Sequence, residues 1–203
     1  MGLLSSAVSV NRYQVEGDLK EPLMENIVQG LRLNAFRELD DLEEKSVGWT
    51  PFGKPFSPKF DGSSCMIGSL LVFSLRIDRK TVPPKVFKKH FALESEQYLQ
   101  KSRRSFLTRE EKEMLKEKVL ADLRSRIPAV PETYDLVWQY ESRSLWFFSL
   151  LKAVNEELET LFAQSFNLTL IRLFPFTLGD LAMGLSLEER DELVKLNPMV
   201  LAE

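Results

Sequence analysis

The sequence predicts an α+β fold with a mostly antiparallel sheet, helices on one face of the sheet, and an inserted, projecting helical hairpin. Segments rich in valine and aromatic residues alternate with segments whose apolar residues recur every three or four positions, which predicts both strands and helices. Their order is β-α-β-β, two consecutive helices, then β-β-α-β. The chain has 203 residues and is 44% hydrophobic, enough to form a sizeable core.

The first strand and the first helix are predicted at the N-terminal end. Ser6–Gly17 alternates valine and tyrosine with polar residues and ends at a glycine, as expected of a strand. In the segment "KEPLMENIVQGLRLNAF", Leu23, Ile27 and Leu31 recur every four residues and predict an amphipathic helix. Gly30 inside this helix indicates a close packing contact.

Two or three further strands are predicted before residue 80. Val47–Thr50 predicts a short strand, followed by a long loop that prolines and glycines interrupt. Leu70–Ile77 is almost entirely apolar and predicts a strong strand. It is expected to pair with Cys65–Ile67 through a tight turn at Gly68-Ser69.

A helical hairpin is predicted from two adjacent helix signals. Pro83 and Pro84 begin the first helix, because the first turn needs no intrahelical N–H group, and the helix runs to about Lys101. Thr108 and Glu111 form a capping box that begins the second helix. An apolar stripe at four-residue spacing follows, at Leu115, Val119, Leu123 and Ile127. Two helices with so short a link pack antiparallel.

The rest of the chain predicts a strand hairpin, a helix and a last strand. Tyr134–Tyr140 and Ser144–Leu150 are the paired strands. The helix "LKAVNEELETLFAQSF" is expected to bury Leu151, Val154, Leu158, Leu161 and Phe162. The strand "LTLIRLFPF" follows, and a capping box at Ser186 and Glu189 begins a short terminal helix that runs through Leu196.

These elements divide the chain into three parts. Residues 1–82 and 132–180 form an α+β body, residues 83–131 form the helical hairpin, and residues 181–203 form a C-terminal helical tail. No apolar run reaches the roughly 18 residues of a membrane helix, so no membrane contact is expected. The single Cys65 excludes an internal disulfide and predicts a reducing compartment.

The sequence offers few residues for catalysis, and no cofactor or metal is expected. His90 is the only histidine and is interpreted as a solvated or half-buried side chain. Cys65 is interpreted as a small core residue. An acidic run includes Asp40 and Glu44 and is interpreted as a solvated loop, although a metal-dependent nuclease using Asp40 or Asp61 remains an alternative.

Positive charge is concentrated in one part of an otherwise acidic chain. The net charge is −3, yet residues 76–104 contain nine cations and three anions. Lys85, Lys88 and Lys89 are spaced to share one helix face, and such clustering favours phosphate binding. The second hairpin helix mixes six cations with five acids, which instead favours a solvated face. Composition alone leaves both interpretations open.

The aromatic residues of the paired strands are interpreted mainly as core. They are Trp138, Trp146, Phe147 and Phe148. A platform on which single-stranded bases stack is the alternative for these side chains.

Several segments occur in a distinctive order. They are "VNRYQVEGDLKEPLMENIVQGLRLNAF", "GWTPF", "SLLVFSLRIDRKTVPPKVFKKHF", "LTREEKEMLKEKVLADLRSRI" with "YDLVWQY", and "LFPFTLG". In this order they resemble the N-terminal part of the recombination-associated RdgC family, from about Val8 to Gly179. Single-residue correspondences are Trp49, Pro51, Lys80 and Pro83, with Arg103 in the basic turn of the family's hairpin.

The resemblance implies a non-enzymatic DNA-binding protein of the bacterial cytoplasm, located at the nucleoid. Family members form ring-like homodimers, hold duplex DNA in a positively lined centre without sequence preference, and restrain a recombinase. We therefore expect a sequence-nonspecific double-stranded DNA-binding protein that forms a homo-oligomer and modulates recombination without catalysis. The expected phosphate contacts are Arg79, Lys80, Lys85, Lys88, Lys89, Lys101, Arg103 and Arg104. The alternative is a protein–protein interaction module that uses the hairpin as its docking surface.

Overall fold

The computed structural model describes residues 2–40, 43–61, 65–174, 177–179 and 184–195. Its strands are β1 (Asn11–Glu16), β2 (Lys45–Pro51), β3 (Met66–Ile67), β4 (Leu70–Arg79), β5 (Val130–Gln139), β6 (Ser144–Phe147) and β7 (Thr169–Arg172). Its helices include α1 (Leu23–Leu33), α2 (Pro84–Ser102), α3 (Arg109–Arg126), α4 (Lys152–Phe166) and α5 (Leu187–Lys195). The predicted order of elements is confirmed. The end of the predicted terminal helix, at Leu196, lies outside the described residues.

The strands form one seven-stranded sheet in which all strand pairs are antiparallel. The order across the sheet is β2-β4-β5-β6-β1-β7, and β3 pairs with β4 through the predicted turn at Gly68. Only the second half of the predicted first strand is regular, from Asn11 to Glu16. β5 begins four residues before the predicted Tyr134, because the chain pairs with β4 as soon as α3 has ended.

Helices α1 and α4 cover one face of the sheet, which confirms the predicted α+β class. The main core lies between them and the sheet and includes the fully buried Trp49, Trp138 and Phe162. Gly30 lies where α1 crosses α4, and a Cβ atom there would be 2.5 Å from the carbonyl oxygen of Ser165. The packing contact predicted for this glycine is therefore confirmed.

Two predicted core residues lie instead on the surface. Leu151 is 59% exposed because it is the N-cap of α4 and precedes the buried stripe of that helix. Trp146 is 47% exposed because its two neighbours on β6, Leu145 and Phe147, are fully buried. Since successive residues of a strand point to opposite faces, Trp146 must lie on the face away from α1 and α4.

The hairpin of α2 and α3 connects β4 to β5, which are neighbours in the sheet. The predicted capping box is present: the Thr108 side chain accepts from the Glu111 N–H, and the Glu111 side chain accepts from the Thr108 N–H. The helices pack mainly on each other, and the buried Leu115, Val119 and Leu123 of α3 belong to neither core cluster. The apolar contacts of the hairpin are thus separate from the main core.

Candidate nucleic-acid interface

Three lysines form an exposed face near the beginning of α2. Lys85, Lys88 and Lys89 are all exposed, and their three- and four-residue spacing places them side by side. We call these three residues the lysine face. Among the residues that the structure describes, no carboxylate lies within ion-pair distance of them. Their positive charges are therefore available to an external anion.

The lysine face points away from α3. The contacts between the two helices come from other positions of α2: Glu94 pairs with Lys118 at 2.7 Å, and the Tyr98 hydroxyl donates to Glu111 at 3.0 Å. Glu94 follows Lys89 by five residues, which is about 1.4 turns, so it lies on the other side of the helix. The side of α2 that bears the lysines is thus free of the hairpin's own packing.

A second group of cations lies at the end of α2 and in the turn that follows it. Lys101, Arg103 and Arg104 are exposed, and Arg103 adopts a left-handed backbone conformation with φ of 52° that ends α2. Arg104 donates to Glu111 at 3.0 Å, although its side chain remains 55% exposed. We call these three residues the tip cations. Arg104 is partly neutralised, whereas for Lys101 and Arg103 no ion pair is found within the described ranges.

The carboxylate of Glu111 organises the tip. The backbone N–H of Thr108 and the hydroxyl of Tyr98 both donate to it, and these hydrogen bonds lower the pKa of Glu111 below its usual value. The same contact raises the pKa of Tyr98, because the phenolate would face a carboxylate. The turn that carries the tip cations is therefore fixed by side-chain contacts in addition to the backbone.

Arg79 and Lys80 lie at the end of β4 and contribute less free charge. Arg79 is half-buried, and its Nε atom has no partner among the described residues. Its charge acts on the nearby Tyr134, where it opposes the rise in pKa that burial causes. Lys80 donates from Nζ to the backbone carbonyl of Asp40 at 3.1 Å. Both side chains thus interact with the α+β body and are less available to an external phosphate than the lysine face.

The eight predicted phosphate contacts therefore form two groups rather than one cluster. Lys85 and Lys101 are separated by sixteen positions of α2, which is about 24 Å at the usual helical rise. Arg79, Lys80 and the lysine face lie at the base of the hairpin, and the tip cations lie at its far end. A straight polyanion of at least this length would be needed to contact both groups at once.

Arg76 contributed to the charge excess in the sequence but does not belong to this surface. Its side chain is 4% exposed and donates two hydrogen bonds to Asp78, at 2.7 and 2.6 Å. The guanidinium also lies 3.9 Å from the centre of the Phe36 ring. The hydrogen bonds to Asp78 and the charges of Asp78 and Glu38 raise the pKa of Arg76. Arg76 and Asp78 form a buried pair within the body, so this arginine adds no charge to the exposed surface.

The candidate catalytic residues are dispersed. Cys65 is buried as predicted, and burial raises the pKa of its thiol. His90 is half-buried between α2 and α3, near Glu94 and Asp122. Within the described parts of the chain, no three histidine, cysteine, aspartate or glutamate side chains are grouped so as to hold a metal ion. In those same parts, every helix is too short or too polar to cross a membrane.

Fold and surface together define a class: α+β proteins that insert a helical hairpin with an exposed cationic face between two neighbouring strands of an antiparallel sheet. A family model described as "Putative exonuclease, RdgC" matches residues 9–177. The chain therefore belongs to the RdgC family, which confirms the resemblance drawn from the sequence segments. The family is one of recombination-associated proteins. The comparison with curated proteins found no match.

Proposed function

We propose that this protein binds double-stranded DNA without sequence preference and modulates recombination at the nucleoid without catalysis. The observation that carries the proposal is the lysine face: Lys85, Lys88 and Lys89 are exposed, adjacent and directed away from α3. Family membership supports the recombination context. The word exonuclease in the family description names a catalytic activity, which a nuclease assay tests independently of binding.

Contacts between lysine ammonium groups and DNA phosphates explain why binding would not depend on the DNA sequence. A lysine ammonium is a mobile point charge that neutralises a phosphate wherever the backbone passes, and the release of counterions drives the association. Nothing in this contact reads the edges of the bases. The tip cations, about 24 Å further along the hairpin, provide a second phosphate contact for a duplex that lies along α2.

Self-association and contact with a recombinase belong to the same proposal. Both follow from the family resemblance. A homo-oligomer would place two or more lysine faces around one duplex and raise the effective concentration of phosphate contacts. In this arrangement the protein would act by occupying DNA.

Reversing the charge of the lysine face tests the proposal. The triple variant Lys85→Glu, Lys88→Glu, Lys89→Glu should abolish the gel shift of a random-sequence duplex at low salt, because phosphates are repelled where they were attracted. The control variant makes the same change in net charge on exposed lysines of the body, at Lys20, Lys54 and Lys59. It should retain most of the affinity. Equal loss in both variants would show that only the net charge matters and would contradict the proposal.

The same duplex reports on catalysis. Incubation of the wild-type protein with end-labelled duplex and magnesium should leave the DNA at full length. Shortening of the labelled strands, absent when the metal is chelated, would show a nuclease and would refute the non-catalytic part of the proposal while leaving the binding part intact.

A further inference from the structure

The face of the sheet opposite α1 and α4 contains a groove that the hairpin does not reach. It has a volume of about 460 Å³ and is lined by Arg12, Gln14, Gln139, Ser142, Ser144, Trp146, Leu173 and Leu178. The floor comes from β5, β6 and β1, which are adjacent in the sheet. The two leucines follow β7 and form one apolar wall.

The register of the strands brings the floor residues side by side. Arg12 is the direct partner of Trp146 across β1 and β6, and Gln14 is the direct partner of Ser144. Ser144 is also the partner of Gln139 on β5. Cross-strand partners have Cβ atoms about 5 Å apart, so the indole, the guanidinium and the amide groups lie within the span of one nucleotide.

Trp146 is an aromatic residue that the core does not use. The other two tryptophans, Trp49 and Trp138, are fully buried and make ring contacts with core phenylalanines. Trp146 makes no aromatic ring contact with any described residue, and 47% of its surface is exposed. A half-exposed indole on an open sheet face can provide a stacking surface for a planar ring.

The polar groups around the indole match a nucleotide. Arg12 is exposed, and within the described residues no carboxylate is in ion-pair distance of it. The lining contains no aspartate or glutamate, so an approaching phosphate would meet only one positive charge and neutral groups. The side-chain amides of Gln14 and Gln139 can donate to or accept from any base edge.

We propose that this groove binds single-stranded nucleic acid, with an unpaired base stacked on Trp146 and its phosphate held by Arg12. A base inside a duplex is already stacked on both faces, so the site requires an unpaired strand. The site does not depend on the lysine face, and the two proposals can fail separately. Single strands of DNA and of RNA share this base and phosphate chemistry, and the experiment distinguishes them.

The experiment measures the affinity of the full chain for labelled oligothymidylate and oligouridylate of roughly ten nucleotides, a length suited to one stacking surface. Trp146→Ala should weaken binding of at least one of them about 5- to 100-fold, the loss expected for one stacked base. Trp146→Phe keeps an aromatic face and should remain within about 3-fold of the wild type. Arg12→Gln should reduce the dependence of log K on log salt by about 0.7, the value for one phosphate of a single strand.

Intrinsic fluorescence gives a second readout that does not rely on a variant. Trp146 is the exposed tryptophan and the other two are buried, so a strand stacked on it should quench the emission and protect it from acrylamide. Duplex binding by Trp146→Ala should equal that of the wild type, which also shows that the variant is folded.

Three results would overturn the proposal. The wild type could fail to bind either oligomer, or Trp146→Ala could bind both as tightly as the wild type. Trp146→Ala could also change only the molar mass measured by sedimentation, which would show that the groove is a contact between copies of this chain. A wild type that fails to bind duplex DNA would refute the lysine-face proposal but would not affect the proposal of a single-strand site at Trp146.

Discussion

Asn155 is a buried residue whose side chain is fully hydrogen-bonded. Its Oδ1 atom accepts from Asn11 at 2.8 Å and from the Tyr13 hydroxyl at 2.6 Å, and its Nδ2 atom donates to two backbone carbonyls. Arg172 and Glu159 continue the network from Tyr13 to the surface. The network ties β1, α4 and β7 together at the edge of the sheet.

Removing the amide should destabilise the protein. We expect Asn155→Ala to lower the free energy of unfolding by about 2–3 kcal/mol, because two donors lose an acceptor and two carbonyls lose a donor in a buried site. Urea unfolding with an unchanged m-value measures this loss. Gln164→Ala, at an exposed position of the same helix, should change it by less than about 0.5 kcal/mol. A loss below about 1 kcal/mol for Asn155→Ala would contradict the account.

The network could not be predicted from the sequence. In "LKAVNEELETLF", Asn155 follows the buried Val154 and precedes two glutamates, so its residue type predicts an exposed helix position. Its burial depends on Asn11 and Tyr13, more than 140 positions away along the chain. The burial of Arg76 was equally unpredictable, because the sequence does not show whether an arginine is exposed or paired with a carboxylate in the interior.

The helical hairpin was largely predictable because its signals are local. Pro83, Thr108 and Glu111 determine the beginnings of the two helices through backbone groups within three residues of each. The lysine face follows from spacing alone. The side of α2 against which α3 packs was not predictable, since it depends on contacts between the two helices, such as that of Glu94 with Lys118. The exposure of Trp146 could have been predicted, because strand alternation places it on the opposite face from Leu145 and Phe147. The core prediction was made from its hydrophobicity instead.

The stability of the hairpin tip should depend on pH through Glu111. Hydrogen bonds lower its pKa in the folded protein, so its stabilising effect is fully present above the unfolded pKa and is lost as pH falls through the folded pKa. We expect Glu111→Gln to be less stable than the wild type at pH 7. The difference should shrink as the pH is lowered below about 4, where the wild-type carboxylate also becomes protonated.

Urea unfolding of both proteins across this pH range measures the difference. Glu110→Gln removes the same charge from the neighbouring exposed position and serves as the control. A stability difference between Glu111→Gln and the wild type that does not change with pH would show that the carboxylate charge plays no part in the capping box.

At the scale of the whole molecule, the central feature is the separation of charge. The protein has a net charge of −3, yet the beginning of α2 presents three exposed lysines in one group, and the end of α2 with the following turn presents three further cations. Acidic residues pair with several other cations of the hairpin, as Glu94 does with Lys118 and Glu113 does with Lys116. The lysine face is left unneutralised within the described residues. A molecule that repels DNA on average can thus attract it at one surface.

The salt dependence of duplex binding tests this central claim most directly. If the lysine face and the tip cations together neutralise about four to six phosphates, log K for a random-sequence duplex should fall with log salt at a slope of roughly −4 to −5. The slope should be the same for duplexes of different sequence. No binding at low salt, or a slope near zero, would contradict the account, because neither is compatible with a surface whose affinity comes from phosphate contacts.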